Sequence, residues 1–119
     1  MDRERFKVDL LDREDPFEID NGNRPHLYKH LPMAEHRPVS VGIEDILDAY
    51  LVGNPLFYPG SDEGEADWIM IAEAPGIVLA VPLAPPQTLN PSKCRPIGLD
   101  SASNKERERY ISDLAREDI

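Results

Sequence analysis

The clearest helical pattern in the chain lies near its middle. Apolar residues recur there at the i, i+3, i+4, i+7 and i+8 spacing of a helix that buries one face. Gly53 follows at the position where helices often end in a left-handed residue, and Pro55 prevents continuation. Acidic residues occupy the first turn, where the helix dipole favours them. The sequence therefore predicts a helix built on Ile43, Ile46, Leu47, Tyr50 and Leu51.

Two continuous apolar segments predict the centre of a β-sheet. They are Trp68–Ala72 and Ile77–Val81, and Pro75-Gly76 between them suits the central positions of a type II turn. Continuous apolarity is typical of strands that are covered on both faces. We therefore expect a hairpin with helices packed on it. Shorter strands are predicted at Phe17–Ile19, Leu56–Tyr58 and Cys94–Leu99.

A last helix is predicted near the C-terminal end. Ser103 and Glu106 have the spacing of a capping box, in which each side chain accepts a hydrogen bond from the other residue's backbone. The apolar stripe that follows is Tyr110, Ile111, Leu114 and Ala115. Three cations, Lys105, Arg109 and Arg116, fall within about 40° of one another around the helix axis.

A short helix is also predicted after Asn23, which is expected to cap it, with Pro25 in the first turn. Within this helix, His26 and His30 would be spaced at i and i+4, as in some metal sites. No third ligand with a fixed spacing follows, so a metal site is not predicted. The residues of this helix would be His26, Leu27, Lys29, His30 and Leu31.

Together these elements predict an α+β fold. Its sheet is mostly antiparallel, with two N-terminal helices and one C-terminal helix packed on it. At 119 residues, a single domain is expected. Residues 1–14 are dense in charge with alternating apolar residues, which predicts an N-terminal arm or an edge strand. Residues 15–119 are predicted to form the domain.

The basic residues are confined to the two ends of the chain, and the middle is acidic. Residues 38–92 contain eight acids and no Lys or Arg, whereas all 13 basic residues lie in 1–37 and 93–119. The net charge of −10 produces a field that repels polyanions such as RNA. An acidic surface of this kind is better suited to a basic protein partner.

The single cysteine and the short apolar segments indicate the compartment in which the protein is expected. Cys94 excludes an internal disulfide and is expected to be a small buried side chain in a reducing compartment. The first residues are charged where a signal peptide would be apolar. The longest apolar run is about half of the roughly 20 residues needed to cross a bilayer. We therefore expect a cytoplasmic protein without a membrane segment.

Short motifs at both ends of the chain match those of a known protein family. On the N-terminal side they are Phe17-Glu-Ile-Asp20, His26-Leu-Tyr-Lys29-His30 and Val41-Gly-Ile-Glu44-Asp-Ile46. On the C-terminal side, Ala102-Ser-Asn-Lys-Glu106-Arg107 is followed by Tyr110. The order and spacing of the strands between them also agree. Over about residues 15–112, the chain resembles BrnT-type toxins of the RelE-like superfamily.

The resemblance implies a metal-independent ribonuclease that a small antitoxin protein neutralises, and it allows a homo-oligomer. Such cleavage needs a base, an acid and cations that hold the phosphate. We predict neither a metal nor a cofactor. By position in the motifs, the implied catalytic residues are Lys29, His30, Glu106, Arg107 and Tyr110. Further RNA contacts are expected from His26, Arg95, Lys105 and Arg109.

Two departures from the toxin pattern remove positive charge. An arginine of the family falls on Asp100, and the strand that often reads R-Y-R-V-I-G reads Asp67-Trp-Ile-Met-Ile-Ala72 here. A carboxylate in place of an arginine repels the phosphate that the arginine would attract. Two hypotheses therefore stand: a BrnT-like toxin that cleaves RNA, or a catalytically degenerate acidic protein on the same scaffold. The second would bind a basic partner or mimic nucleic-acid charge.

Overall fold

A five-stranded antiparallel sheet forms the centre of the computed structural model, which describes residues 4–32 and 38–117. A separate two-stranded sheet precedes it in the chain. Short 3-10 turns lie at Val8–Leu10 and Arg24–Leu27. The remaining elements, in chain order, are β1 (Lys29–Pro32), β2 (Pro38–Val41), α1 (Ile43–Val52), β3 (Leu56–Pro59), β4 (Trp68–Ala74), β5 (Ile77–Ala84), β6 (Arg95–Pro96), β7 (Asp100–Ser101) and α2 (Asn104–Glu117).

The predicted central hairpin is confirmed. Strands β4 and β5 pair from Trp68 opposite Leu83 to Ala74 opposite Ile77. Gly76 has a φ of 78°, the left-handed value that the third residue of a type II turn requires. Strand β3 pairs with the outer side of β4, while β6 and β7 both pair with the outer side of β5.

One face of the sheet is covered by α1 and by the N-terminal segment. Alternate residues of β4 and β5 point to this face and the others to the opposite face, which is also covered. Both strands are therefore largely apolar, with Glu73 as their one charged residue. Cys94 is fully buried here, as expected, and burial raises the pKa of its thiol to about 12. The main contributors to this core are Leu27, Ile46, Ala49, Met70, Ala72, Leu79, Val81 and Leu83.

The opposite face is covered by α2. Tyr110 is fully buried against Ile71 and Ala80, and the other apolar residues of α2 are more exposed. The capping box is confirmed, because the Ser103 N–H donates to Glu106 Oε1 at 2.8 Å and the Glu106 N–H donates to Ser103 Oγ at 3.2 Å. Within the described ranges, neither α-helix is long and apolar enough to span a bilayer.

The prediction of α1 is confirmed in position, but the reason for Gly53 is different. Gly53 has a φ of −96°, and Asn54 carries the left-handed conformation with a φ of 52°. A Cβ on Gly53 would lie 2.2 Å from the Glu73 carbonyl oxygen. Glycine is therefore needed because the end of α1 approaches the backbone of β4 closely.

The predicted helix at residues 26–31 is wrong. The chain forms a single 3-10 turn and then enters β1, where Lys29 lies opposite Val41 and His30 opposite Ser40. Asn23 does not cap a helix. Its side-chain amide nitrogen donates to the carbonyls of Glu18 and Pro96, both at 2.9 Å, so Asn23 joins two distant parts of the chain. The described residues therefore contain one N-terminal α-helix, where two were predicted.

Two of the predicted outer strands are also shorter than expected. Phe17 forms only an isolated parallel bridge with Cys94, and no strand extends over Phe17–Ile19. The segment Cys94–Leu99 contributes only β6. The Ile97 N–H still donates to the Pro82 carbonyl at 3.0 Å, but Pro82 has no N–H to return the bond, so the ladder ends there. The α+β class and the antiparallel sheet are confirmed.

The described part of the N-terminal segment, residues 4–14, contains no strand and lies against the domain. The Phe6 N–H donates to Asp67 Oδ2 at 2.9 Å, and the indole N–H of Trp68 donates to the Phe6 carbonyl at 2.8 Å. Arg5 pairs with Asp62 at 2.7 Å. These contacts attach the segment to the start of β4 and to the loop before it.

Replacing Tyr110 with Phe tests how α2 is attached. The Tyr110 hydroxyl lies 2.9 Å from the Gly53 carbonyl oxygen and 2.8 Å from that of Asn54. Its loss removes this donor from the Asn54 carbonyl, whereas the Gly53 carbonyl keeps the Glu73 N–H at 2.8 Å. We expect the free energy of unfolding to fall by about 1–2 kcal/mol in urea titrations. Tyr28→Phe is the matched control, because Tyr28 is 59% exposed. Equal stability of the two variants would show that the Tyr110 hydroxyl does not help to attach α2.

Candidate functional site

Arg95 lies at the centre of a charged network that joins β6 to the N-terminal segment. Its side chain is only 8% exposed. Nη1 and Nη2 donate to the two carboxylate oxygens of Asp20 at 2.7 and 2.8 Å, and Nη1 also donates to Glu18 at 3.2 Å. This bidentate arrangement is stronger than an arginine–carboxylate pair with a single hydrogen bond. The guanidinium that was expected to contact RNA is therefore held by two of the protein's own acids.

The same carboxylates are fixed by several further donors. Burial acts to raise the pKa of Glu18, but hydrogen bonds from Gln87, Thr88 and Arg95 outweigh it and lower that pKa. The Arg95 guanidinium, helped by the Gly22 N–H, holds the pKa of Asp20 well below its usual range. The hydrogen bond with Asp20 raises the pKa of Arg95 in turn. Both acids therefore stay charged at neutral pH.

His26 and Arg95 are brought together by the fold. Both line a hollow of about 270 Å³ whose other lining residues include Asn23 and Glu65. No described residue forms a hydrogen bond with the His26 imidazole, so it is open to solvent. Glu65 was not expected at this site. It adds a carboxylate to the lining of the hollow, while Glu18 and Asp20 hold the guanidinium itself.

Lys29 is paired with Asp100, the acid at the position where the toxin pattern has an arginine. Its Nζ lies 3.4 Å from Asp100 Oδ2, which joins β1 to β7. Both side chains are about half exposed, so the pair itself adds little stability. Its effect is to cancel the charge of Lys29. The His30 side chain lies outside the described part of the structure.

The predicted residues of α2 are spread along the helix and have different roles. Glu106 closes the capping box, and the Arg107 guanidinium donates to Asn104 Oδ1 at 2.7 Å on the same helix. Lys105 is exposed, and no described residue pairs with it. Tyr110 is buried, and burial raises the pKa of its hydroxyl to about 12, so it is placed for packing.

Arg109 belongs to a cluster with two residues that the sequence patterns did not single out. Its guanidinium carbon lies 4.4 Å from the centroid of the Tyr58 ring, and the Tyr58 hydroxyl donates to Asp113 Oδ2 at 2.7 Å. Burial, together with the bond to Asp113, raises the pKa of Tyr58 to about 12. Asp113 also lies 3.9 Å from Arg109 and 3.8 Å from Arg116.

The predicted site residues do not share one positive cleft in the described structure. The hollow lined by His26 and Arg95 is lined by neither Lys29 nor any residue of α2. Glu106 and Arg109 line a separate hollow of about 170 Å³ beside Tyr58.

Part of this arrangement had a signal in the sequence. Glu18 and Asp20 are two residues apart in an extended segment, so both side chains point to the same side and can meet one cation. Asp113 lies at i+4 from Arg109 and i−3 from Arg116, which is the spacing of helical ion pairs. No local pattern indicated Tyr58 or Glu65.

The fold and the site thus define a small α+β protein whose partly buried cations are matched by its own acids. The chain matches no protein-family model, no curated protein and no solved structure.

The depressed pKa values of Glu18 and Asp20 predict a loss of stability in acid. A carboxyl whose pKa is lower in the folded state contributes stability above the ordinary value of about 4. That contribution disappears as pH falls through the lower, folded value. Asp20→Asn removes one of the two groups, so the variant is expected to lose less stability than the wild type between about pH 7 and about pH 3.

Urea unfolding at the two pH values measures this difference. Asp48→Asn, on the exposed face of α1, is the matched control and is expected to lose as much stability as the wild type. An Asp20→Asn variant with the same acid sensitivity as this control would show that the Arg95 network does not determine the pH dependence.

Proposed function

We propose that this chain is a non-catalytic interaction protein that binds a basic partner. The observation that carries the proposal is the pairing of its cations with its own carboxylates. Arg95 is held by Glu18 and Asp20, and Lys29 by Asp100. A ribonuclease of the BrnT type would need such cations free to hold a phosphate.

An RNA phosphate would have to displace these acids. Binding to Arg95 would require Asp20 to leave a bidentate pair and would leave Glu18 facing the phosphate. The negative charges of Glu18 and the phosphate would then repel each other. Because the network is partly buried, salt would screen this repulsion only weakly. Other cations, such as Arg24, Lys105 and Arg107, are exposed, but the net charge of −10 already includes them and still produces a field that repels RNA.

The acidic surface supplies the attraction for a basic partner. Of the eight acids in residues 38–92, Asp67 is buried at 2% exposure and Asp45 is partly buried. Asp45 accepts the Gly42 N–H at the start of α1. The other six are exposed: Glu44, Asp48, Asp62, Glu63, Glu65 and Glu73. The same span contains no Lys or Arg, and of these six acids Asp62 is paired with Arg5 of the N-terminal segment at 2.7 Å. The attraction for a partner therefore comes mainly from the other five.

An RNA-cleavage assay separates this proposal from the toxin hypothesis. We expect the protein at high concentration, with a chelator present, to cleave RNA no faster than the His30→Ala variant. This follows because the phosphate-binding cations are already paired. Metal-independent cleavage that disappears in His30→Ala would contradict the proposal and favour a BrnT-like toxin.

Binding to a lysine-rich peptide tests the acidic surface. Affinity is expected to fall steeply as salt is added, because exposed charges are screened. Neutralising the loop with Asp62→Asn, Glu63→Gln and Glu65→Gln is expected to weaken binding, measured by calorimetry or fluorescence anisotropy. The matched control neutralises three exposed acids outside residues 38–92: Glu4→Gln, Glu14→Gln and Glu108→Gln. Equal loss in both variants would contradict a role for the loop.

A further inference from the structure

The outer edge of β3 borders a groove that the site described above does not use. Strand β3 pairs with β4 on one side, and among the described residues no strand pairs with its other side. The groove along this edge has a volume of about 690 Å³. Val8 and Asp9 form one wall, and the end of α2 forms the other. An open strand edge next to a groove can accept an extended chain segment.

The hydrogen-bonding groups of this edge follow from the register of β3. The Gly60 N–H donates to the Asp67 carbonyl at 2.9 Å, which identifies these residues as a hydrogen-bonded pair. Such pairs alternate along antiparallel strands, so Tyr58 and Leu56 also bond to β4. Phe57 and Pro59 therefore direct their backbone groups to the open edge. Proline has no N–H, so the edge offers one N–H, that of Phe57, and two carbonyls.

We propose that the β3 edge binds an extended, Lys- or Arg-containing segment of a partner protein as an added antiparallel strand. This inference rests on the proposed function and names the place where the basic partner docks. The partner would exchange two hydrogen bonds with Phe57 and donate a third to the Pro59 carbonyl. Three bonds alone give modest affinity, so charge and side-chain contacts must supply the rest.

The two walls of the groove determine which residues the partner strand presents. Side chains alternate between the faces of a sheet, so partner residues opposite Phe57 and Pro59 lie on the face with Val8 and Trp68. Those positions favour apolar side chains. Their neighbours lie on the face with α2, beside Asp113 and Glu117. Those positions favour Lys or Arg, and the segment is therefore expected to alternate apolar and basic residues.

The charges in the groove favour a basic partner over a second copy of this chain. Asp9, Asp113 and Glu117 line it with one cation, Arg116. Asp113 lies 3.8 Å from Arg116 and 3.9 Å from Arg109, so Asp9 and Glu117 supply the acidic charge for which the described residues provide no ion pair. Pairing two β3 edges would bring two such acidic rims together, and their repulsion opposes self-association. The edge also continues directly into the loop that carries Asp62, Glu63 and Glu65. A basic chain that leaves β3 would therefore meet further acids.

Hydrogen exchange at the Phe57 amide tests the edge directly. The probe is an eight-residue peptide of alternating valine and lysine. With the peptide at about ten times its dissociation constant, exchange of the Phe57 N–H is expected to slow about tenfold. Tyr58, whose N–H already bonds to β4, is the internal reference. N-methylation of the valine amides, which face β3, is expected to abolish binding, whereas N-methylation of the lysine amides preserves it.

Charge reversal in the groove gives a second measurement. Asp9→Lys with Glu117→Lys is expected to weaken binding of the same peptide about tenfold relative to the control pair Glu14→Lys with Glu108→Lys. All four positions are exposed, so both double variants are expected to fold. Equal affinity of the two variants would overturn the groove as the docking site.

The outcomes separate this inference from the function on which it rests. Peptide binding that leaves Phe57 exchange unchanged, or that survives methylation of the valine amides, would overturn the edge site and leave the proposed function standing. Slow Phe57 exchange in the free protein would also overturn it, because the chain's own residues or a second copy would already cover the edge. Absence of any binding to basic peptides would overturn the proposed function itself.

Discussion

The arginine–carboxylate network around Arg95 holds the N-terminal segment against strand β6. Glu18 and Asp20 lie near the N-terminal end, and Arg95 begins a strand on the far edge of the sheet. Asn23 strengthens the same junction through the carbonyls of Glu18 and Pro96. Breaking a partly buried pair by removing one partner leaves an uncompensated charge, so the three groups depend on one another. The fold of the N-terminal segment follows from this constraint.

The same network limits which ligands the surface can bind. A guanidinium between two carboxylates has little attraction left for a phosphate, and Lys29 is matched by Asp100 in a similar way. Two cations of the predicted site thus form ion pairs within the protein. The net charge of the chain is −10, which fits a basic partner better than RNA. This charge distribution supports the proposed interaction protein, for which the open β3 edge is the proposed docking site.

Elements determined by local patterns could be predicted from the sequence. Helix α1, the β4–β5 hairpin and the capping box of α2 each depend on residues within a few positions of one another. The segment from His26 to His30 was predicted wrongly as a helix. Its conformation depends on pairing between β1 and β2, which no local pattern indicates. Short helices are only marginally stable by themselves, so this non-local pairing prevails.

The candidate site was harder to predict than the fold, because its important contacts join distant residues. Arg95 lies 77 positions from Glu18 and 75 from Asp20. The sequence placed Arg95 in a predicted strand, and it placed Glu18 and Asp20 on one side of an extended segment. Only the packing of β6 against that segment brings them within hydrogen-bond distance. The distinction between a phosphate-binding arginine and a neutralised one therefore needed the structure.

The most direct test follows the Arg95 guanidinium by nitrogen NMR while a short RNA is added at low salt. If Asp20 and Glu18 hold this group, its signals show hindered rotation in the free protein and do not move when RNA is present. Arg95 signals that shift with RNA, together with those of Lys29 and Arg107, would contradict the account, since these cations would then be free to form one phosphate-binding surface.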